Sequence, residues 1–426
     1  MKRYEKYKPT GIQWLPEIPE HWNIMQLRKY LSLVSIKDKG DKQLLSVTRE
    51  NGVIERDIYN LEENHNFVPE DLNGYKYVTP GQFVINKMKS WQGSYGVSDY
   101  EGIVSPAYFV CDLNFPNKEF FSQAIRSRAY VDFFAQWSKG IRVGQWDLEP
   151  IALKSIPFFE PPIPEQNKIV AYLDKRITLI DNCKCQRERE LQTLNELKQA
   201  EIASVVTRGL NPDVPMKDSG IPWIGQIPVH WNIRRAKFMF KKEKREVRST
   251  DRVITCFRDG QVTLRENRRT TGFTESITEI GYQGIRKGDL IIHQMDAFAG
   301  SIGVSDSDGK GTSVYHCCTP KGPYIPEYYA LVLREMARTG YIQSLYRGIR
   351  ERSSDFNFQT FGKQYLPIPP EDEQKEIVNF IHTRINKIDT MIEALKAEID
   401  RLTEYKQRLI SDVVTGQIDV RGEQIQ

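Results

Sequence analysis

The chain has 426 residues and a mass of 49.5 kDa, which exceeds one compact core and predicts roughly two or three domains. Its mean hydropathy is −0.52, and no apolar run approaches the ~18 residues of a membrane-spanning helix, so we expect a cytoplasmic protein without a membrane partner. The formal net charge is only +4, but residues 217–368 hold 24 Lys and Arg against 16 Asp and Glu. The basic surplus therefore lies in one internal block.

Three segments of the chain recur at nearly one offset. The sequence GIQWLPEIPEHWNI at 11–24 recurs as GIPWIGQIPVHWNI at 220–233, and GQFVINKMKSWQGSYGVSD at 81–99 recurs as GDLIIHQMDAFAGSIGVSD at 288–306. The third match joins EQNKIVAYL at 165–173 to EQKEIVNFI at 373–381. The chain is therefore a head-to-tail duplication of a unit of about 208 residues.

Each repeat is predicted to begin with a mixed α/β domain and to end with a long helix. Residues 1–160 and 217–368 combine turn residues with short β-rich runs, as a mixed domain does. Proline clusters end both stretches, and the acidic residues that follow them, Glu165 in the first repeat and Glu371 in the second, suit the positive end of a helix dipole. We expect a spacer helix and linker over 161–216, and a second spacer helix and tail over 369–426.

Both predicted helices carry a heptad-like apolar rhythm. The seam comprises Ile169, Leu173, Ile177, Ile180, Leu191 and Leu194 in the first helix, and Ile377, Ile381, Ile385, Ile388, Ile392, Leu395, Ile399 and Leu402 in the second. Spacings near 3.5 indicate a coiled coil. Since a rod of roughly 64 Å has too little neighbouring sequence to cover it, we expect the two rods to pair with each other. Two unconnected surface helices are the alternative.

The motifs of familiar enzymes are absent from the sequence. It contains no phosphate-binding loop, dinucleotide fingerprint, nucleophile elbow or amino-methyltransferase motif, and its six cysteines lack zinc spacing. His21 and His230 are repeat-equivalent; they form either a functional pair or, as we favour, a local turn in which each imidazole bonds to backbone. Glu373 fits a nuclease-like pattern only if joined to the distant Asp213, whereas a helix start explains it together with Glu165. We therefore predict a protein that is not an enzyme and binds no metal.

A loop in each repeat has the composition of a DNA-binding segment. Segment 1, residues 86–96, and its counterpart segment 2, residues 293–303, share a frame of Met, Ser and Gly but differ in their polar residues. Cations, amides and aromatic rings are the groups that hold phosphates and read base edges. The candidates are Asn86, Lys87, Lys89, Trp91 and Gln92 in segment 1 and Gln294 in segment 2. The alternative is a structural turn whose glycines serve only backbone geometry.

A second pair of matching stretches supplies further candidates. SKGIRVGQWDL at 138–148 matches YRGIRERSSDF at 346–356, and its candidates for phosphate or guanine contacts are Arg142, Gln145, Arg347 and Arg350. An internal salt bridge between Arg142 and Asp147 is equally compatible with the pattern. The basic run at 234–248, with Arg265, Arg268 and Arg269, predicts either a phosphate-facing surface or an ordinary solvated face.

These motifs together resemble the specificity (S) subunits of type I restriction-modification enzymes over essentially the whole chain. The resemblance rests on IPEHW and IPVHW at the start of each repeat, NKMKSWQGSYGVSDYEGIVSPAY at 86–108, and PPIPEQ and PPEDEQ before the long helices. In segment 2 the sequence HQMDAFAGS departs from the family pattern, which indicates either a different half-site or a loop that is structural in both repeats.

The resemblance implies an α+β fold with two target-recognition domains, each reading one half of a bipartite site in double-stranded DNA. The two spacer helices would pair as an antiparallel coiled coil, set the gap between the half-sites and dock two methyltransferase (M) subunits. Restriction/motor (R) subunits would join for restriction, and S-adenosylmethionine, ATP and Mg²⁺ would bind to these partners rather than to this chain. A structural adaptor whose tandem domains bind proteins is the rival interpretation.

Overall fold

The chain folds into two compact units in a computed structural model that describes residues 2–57, 69, 71–140, 146–268, 281–345 and 356–423. Unit 1 comprises Met1–Glu188 and Ala397–Gln426, and unit 2 comprises Arg189–Lys396. Each unit therefore contains one mixed domain and parts of both long helices. Among the described residues, no helix combines the length and the apolar character needed to cross a membrane.

Unit 1 is built around an antiparallel sheet. Its strands are β1 (Tyr7–Ile12), β2 (Leu15–Pro19), β3 (Asn23–Gln26), β4 (Leu31–Val34), β5 (Leu45–Thr48), β6 (Gly52–Glu55), β7 (Lys76–Val78), β8 (Phe83–Ile85), β9 (Tyr95–Val97), β10 (Gly102–Val104), β11 (Phe109–Leu113), β12 (Ser138–Lys139), β13 (Asp147–Leu148) and β14 (Pro157–Glu160). Its helices are α1 (Lys118–Ile125), α2 (Arg128–Trp137), α3 (Pro150–Ser155) and the first part of α4 (Ile163–Arg208). The largest sheet has four strands in the order β4-β11-β8-β9.

Unit 2 repeats this plan. Its strands are β15 (Met216–Asp218), β16 (Gln226–Pro228), β17 (Asn232–Arg235), β18 (Phe240–Glu243), β19 (Ile254–Cys256), β20 (Val262–Leu264), β21 (Gln283–Ile285), β22 (Leu290–His293), β23 (Ile302–Val304), β24 (Gly309–Gly311), β25 (Tyr315–Pro320) and β26 (Tyr365–Ile368). Its helices are α5 (Ala236–Met239), α6 (Pro326–Arg338), α7 (Tyr341–Ser344), α8 (Phe358–Lys363) and the first part of α9 (Glu371–Val414). The four-stranded sheet has the order β18-β25-β22-β23, which is the repeat-equivalent order.

The central strand β8 is fully buried because every residue in it is apolar. Phe83, Val84 and Ile85 form β8, and all three side chains are covered. Aromatic rings fill the space between the sheet and the helices of unit 1: Tyr95 stacks on Phe134 at a centroid distance of 4.0 Å. In unit 2 the corresponding layer is rich in tyrosine and aliphatic side chains. These cores fix the strands from which the loops discussed below project.

The two long helices pack against each other in antiparallel fashion. In unit 1, Lys406 of α9 pairs with Asp181 of α4 at 2.8 Å, and Glu398 pairs with Arg187 farther along α4 at 3.0 Å. The position on α9 decreases as the position on α4 increases, which defines an antiparallel pair. The expected fold class, a tandem α+β duplication with an antiparallel helix pair, is confirmed.

Within unit 2, α4 and α9 are again antiparallel. Lys198 of α4 pairs with Asp389 of α9 at 2.5 Å, and Glu201 pairs with Arg384 at 2.8 Å. Asp181 and Asp389 are repeat-equivalent, as are Lys198 and Lys406. The same Asp–Lys bridge is therefore made once in each unit, with the roles of α4 and α9 exchanged.

The predicted seam residues lie toward the helix interface to different depths. The buried members in unit 1 are Ile169, Leu173 and Ile180. The buried members in unit 2 are Ile377, Ile381, Ile388 and Ile392. The half-buried members are Ile177, Ile399 and Leu402 in unit 1, and Leu191, Leu194, Ile385 and Leu395 in unit 2. Burial is most complete near the mixed domains, where each helix also packs on a sheet.

Candidate nucleic-acid interface

Segment 1 is a tight loop at the edge of the four-stranded sheet. It leaves β8 at Asn86, passes through a 3-10 turn at 90–92 and enters the edge strand β9 at Tyr95. Gly93 ends the turn with φ of +95°, a left-handed conformation that strongly favours glycine. A side chain there would also contact Val131 of α2, since an ideal Cβ lies 3.3 Å from its Cγ2. The fixed glycine therefore sets the path of the loop.

Two of the candidates in segment 1 are engaged within the protein. The Asn86 side chain is buried, and its Nδ2 donates to the hydroxyl of Tyr108 at 3.0 Å. Lys87 Nζ bonds to Asp147 Oδ2 at 2.8 Å. Asp147 is also the residue that an internal bridge to Arg142 would use, and Arg142 lies outside the described residues. Asn86 and Lys87 therefore brace the loop.

The remaining candidates lie nearer to solvent. Lys89 is exposed, and Trp91 and Gln92 are half-buried. The Trp91 ring packs on Trp146 with centroids 5.0 Å apart, and its Nε1 donates to the carbonyl of Met88 at 3.2 Å. Lys89 is thus the charged group of segment 1 that is most available to a phosphate or a base.

Segment 2 has the same backbone but different surface chemistry. It runs from β22 through a 3-10 turn at 297–299 to β23, and Gly300 takes φ of +89° where Gly93 takes +95°. Gln294 is half-buried, and its carbonyl accepts from the backbone N–H of Phe356 at 3.0 Å. Asp296, which replaces Lys89, binds Arg258 at 3.0 Å. Burial lowers the pKa of His293 below its ordinary value, against the opposing effect of Asp296.

Four of the candidates, Arg142, Gln145, Arg347 and Arg350, lie outside the described residues, as does Arg269 of the basic run. Many described members of that run pair with carboxylates: Arg245 binds Asp289 and Arg248 binds Asp308. Arg268 binds Asp259 at 2.6 Å. This part of the basic surplus is therefore partly neutralised within unit 2.

A carboxylate at the start of α4 gathers three aromatic donors in unit 1. Glu165 accepts from the Tyr4 hydroxyl at 2.5 Å and from Trp22 Nε1 at 3.0 Å, and its second oxygen lies 2.7 Å from His21 Nε2. Its side chain is only 6% exposed. Burial and this hydrogen bond raise the pKa of Tyr4 far above its ordinary value, so the hydroxyl keeps its proton and donates.

Unit 2 contains a smaller version of this junction. Glu373 Oε2 accepts from Trp231 Nε1 at 3.0 Å and lies 2.9 Å from His230 Nε2. The prediction that His21 and His230 bond to backbone is therefore wrong, because each imidazole faces the carboxylate that opens a long helix. The prediction that Glu165 and Glu373 lie in the first turn of a helix is confirmed. Both junctions fasten a mixed domain to its helix.

Sequence reasoning missed an arginine that lies beside segment 1. Arg126 follows α1 and donates to the carbonyls of Glu50 and Tyr95, at 2.6 and 2.9 Å. It thereby ties the turn between β5 and β6 to the end of segment 1. Its repeat equivalent is Arg334, and this match between the repeats is the sequence signal that could have identified Arg126.

Nowhere in the described ranges do three His, Cys, Asp or Glu side chains lie close enough together to hold a metal ion.

Comparison with known proteins gives a consistent result. No family model matches the chain. The chain is 21% identical over 449 aligned positions to the putative type I restriction enzyme MjaX specificity subunit of Methanocaldococcus jannaschii, covering 98% of this chain and 97% of that protein. It is a homologue of a type I specificity subunit. The resemblance predicted from the motifs is thereby confirmed.

Solved structures share the fold of this chain. One is a chain from a study of complex assembly and conformational transition in the type I R-M system, with a TM-score of 0.66 at 14% identity over 94% of this chain and 99% of that one. Another is the HsdS subunit from Thermoanaerobacter tengcongensis, with a TM-score of 0.51 at 15% identity over 94% and 98% of the two chains. The likeness extends over both units and is not limited to one domain.

Proposed function

We propose that this chain is the DNA-reading subunit of a type I restriction-modification complex, with one half-site read by each mixed domain. The observation that carries the proposal is the pair of loops. Segments 1 and 2 occupy equivalent places on the equivalent sheets of the two units and share one backbone turn, yet they present different side chains. Two readers of different sequences need a constant frame with variable contacts.

In this proposal the helices serve as spacer and docking element. The repeated Asp–Lys bridges support a single antiparallel register for α4 and α9. We assign the methyltransferase chemistry to two M subunits and restriction to R subunits, so that S-adenosylmethionine, ATP and Mg²⁺ bind to those partners. The chain itself would contribute binding and no catalysis.

The first test is genetic. Deleting the gene and sequencing the methylome should erase one bipartite methylation motif, and an unchanged methylome would sink the proposal. Exchanging residues 1–160 for the matching domain of another specificity subunit should change one half-site only. A change in both halves would show that the domains do not read independently.

The spacer role has its own test. One heptad is inserted after Glu188 in α4 and one after Lys396 in α9, at the unit boundaries, so that the contacts within each unit are kept. Seven residues lengthen a helix by roughly 10 Å, which corresponds to about three base pairs. We expect the gap in the methylated motif to grow by that amount with both half-sites retained. A matched insertion of seven residues in the linker at 211–215 should leave the gap unchanged, and an unchanged gap in the helix variant would refute the spacer role.

The rival adaptor function predicts no sequence-dependent affinity for DNA. Binding of duplexes with and without the methylated motif is measured with the M subunits present, over a series of salt concentrations. Specific binding should weaken steeply as salt increases, because phosphate contacts release counterions. Equal binding of both duplexes would favour the adaptor.

A further inference from the structure

The turn of a second hairpin lies against the loop in each unit. In unit 1 the hairpin of β5 and β6 exposes Arg49, Glu50 and Asn51 at its tip. In unit 2 the hairpin of β19 and β20 exposes Arg258 and Asp259. These residues lie outside the segments that supply the sequence-based candidates.

Close packing joins the hairpin tip to segment 2. An ideal Cβ on Gly300 would lie 2.8 Å from the carbonyl oxygen of Arg258, so the glycine allows the two backbones to meet. The tip is braced by Arg268, whose guanidinium lies 4.2 Å from the ring centroid of Phe257 and which also binds Asp259. The hairpin tip and segment 2 therefore form one continuous, firmly supported surface.

The two units share the charges of the hairpin tip and differ in the charge of the loop beside it. Each tip carries an arginine followed by an acidic residue, Arg49 and Glu50 in unit 1 and their repeat equivalents Arg258 and Asp259 in unit 2. Segment 1 carries Lys89 where segment 2 carries Asp296. In unit 2 the loop therefore supplies a carboxylate, and this carboxylate binds the arginine of the hairpin.

The geometry of Arg258 suits a base-reading role. Its side chain is 69% exposed, and Asp296 Oδ1 holds its Nη2 at 3.0 Å. The backbone of Asp296 is itself fixed, because its N–H donates to His293 Nδ1 and its carbonyl accepts from Ala299 and Ser301. A guanidinium has five donors, so one edge can be held by a carboxylate while the others remain available to a pair of acceptors.

We propose that Arg258 is a specificity-determining residue of unit 2 that reads a guanine, and that Asp296 is its positioning residue. The proposal rests on the proposed function and adds to it a named contact. A guanidinium matches the O6 and N7 acceptors of guanine in the major groove, and a fixed supporting carboxylate restricts its orientation. Segment 2, which lacks the lysine of segment 1, instead supplies the carboxylate that orients this arginine.

The test uses the full chain with its M subunits and duplexes derived from the motif that the wild-type complex methylates. Each position of the two half-sites is varied through all four bases, and methylation rates are compared. Arg258→Ala should reduce the preference for guanine at one position of one half-site by roughly 10- to 100-fold, with the other half-site unchanged. Arg258→Lys should relax the same position, because it keeps the charge but loses the paired donors. Asp296→Asn should relax that position to a smaller degree.

A matched control distinguishes this role from a general effect of charge. Arg252 is 64% exposed and pairs with Glu266 in the same unit, so Arg252→Ala should leave every base preference unchanged. A loss in Arg258→Ala that is uniform over all sequences and is rescued by lysine would overturn the proposal in favour of a phosphate contact. If the base preferences of Arg258→Ala are unaltered, Arg258 and Asp296 form only a surface ion pair and the proposal fails. If the wild-type complex methylates no bipartite motif, the proposed function itself fails.

Discussion

Replacing Glu165 by Ala removes the acceptor shared by three side chains at the start of α4. Tyr4 and Trp22 are almost completely buried, at 5% and 0% exposure, so neither donor can turn to water in the folded state. His21 is 38% exposed and can find water as a partner. A buried donor left without an acceptor costs about 1–3 kcal/mol. We therefore expect Glu165→Ala to lower the free energy of unfolding of unit 1 by about 3–5 kcal/mol.

The repeat-equivalent change in unit 2 provides a matched control. Glu373 serves one fully buried donor, Trp231, while His230 is 45% exposed. The residue that would correspond to Tyr4 is Asp213, which is exposed. Glu373→Ala should therefore lower the free energy of unfolding of unit 2 by only about 1–3 kcal/mol.

Native-state hydrogen exchange is the suitable assay, because it reports the opening free energy of each region of the chain separately. Opening free energies are compared for the peptides around Trp22 and Trp231 in the wild type and in both alanine variants. Glu165→Gln retains an acceptor oxygen and should recover most of the lost stability in unit 1. Equal losses in Glu165→Ala and Glu373→Ala, or a glutamine variant as unstable as alanine, would refute the reasoning from unpaired donors.

Three further predictions concern the helices, the thiols and pH. Lys198→Asp should lower the free energy of unfolding of unit 2 by about 1 kcal/mol, since it places two carboxylates together, and adding Asp389→Lys should restore it in the same exchange assay. Because burial raises the pKa of Cys111 to about 12 whereas Cys185 is exposed, a thiol reagent under native conditions should label Cys185 and leave Cys111 unlabelled until the chain unfolds. The lowered pKa of His293 means that the unfolded chain takes up a proton before the folded chain does, so unit 2 should lose stability as pH falls below about 6.5, and His293→Gln should weaken this pH dependence in melting curves.

The architecture was accessible from the sequence because repetition and periodicity are local properties of a chain. Matched motifs revealed the duplication, and the acidic residues after the proline clusters marked where both long helices begin. The seam pattern indicated paired rods. The register of that pair was not accessible, since it depends on contacts such as Lys198 with Asp389, which lie 191 residues apart.

The candidate interface could be predicted only in part from the sequence, for the same physical reason. Composition identified segment 1, but it could not show that Asn86 and Lys87 face Tyr108 and Asp147 instead of solvent. The partners of a polar side chain are set by tertiary packing, and a motif does not encode them. The histidine of each repeat opening was assigned to backbone because its carboxylate partner lies more than a hundred residues away.

Comparison of the two units separates what the fold requires from what it leaves free. Trp22 and Trp231 are both buried, and each donates to the carboxylate that opens a long helix. Removing either contact would leave a buried donor unpaired, so packing constrains these positions. Lys89 and Asp296 occupy equivalent places at the surface with opposite charges, which the core cannot require. A charge reversal beside an unchanged backbone turn is therefore a difference in what each loop contacts, and a difference of this kind is what the proposed reading of two different half-sites requires.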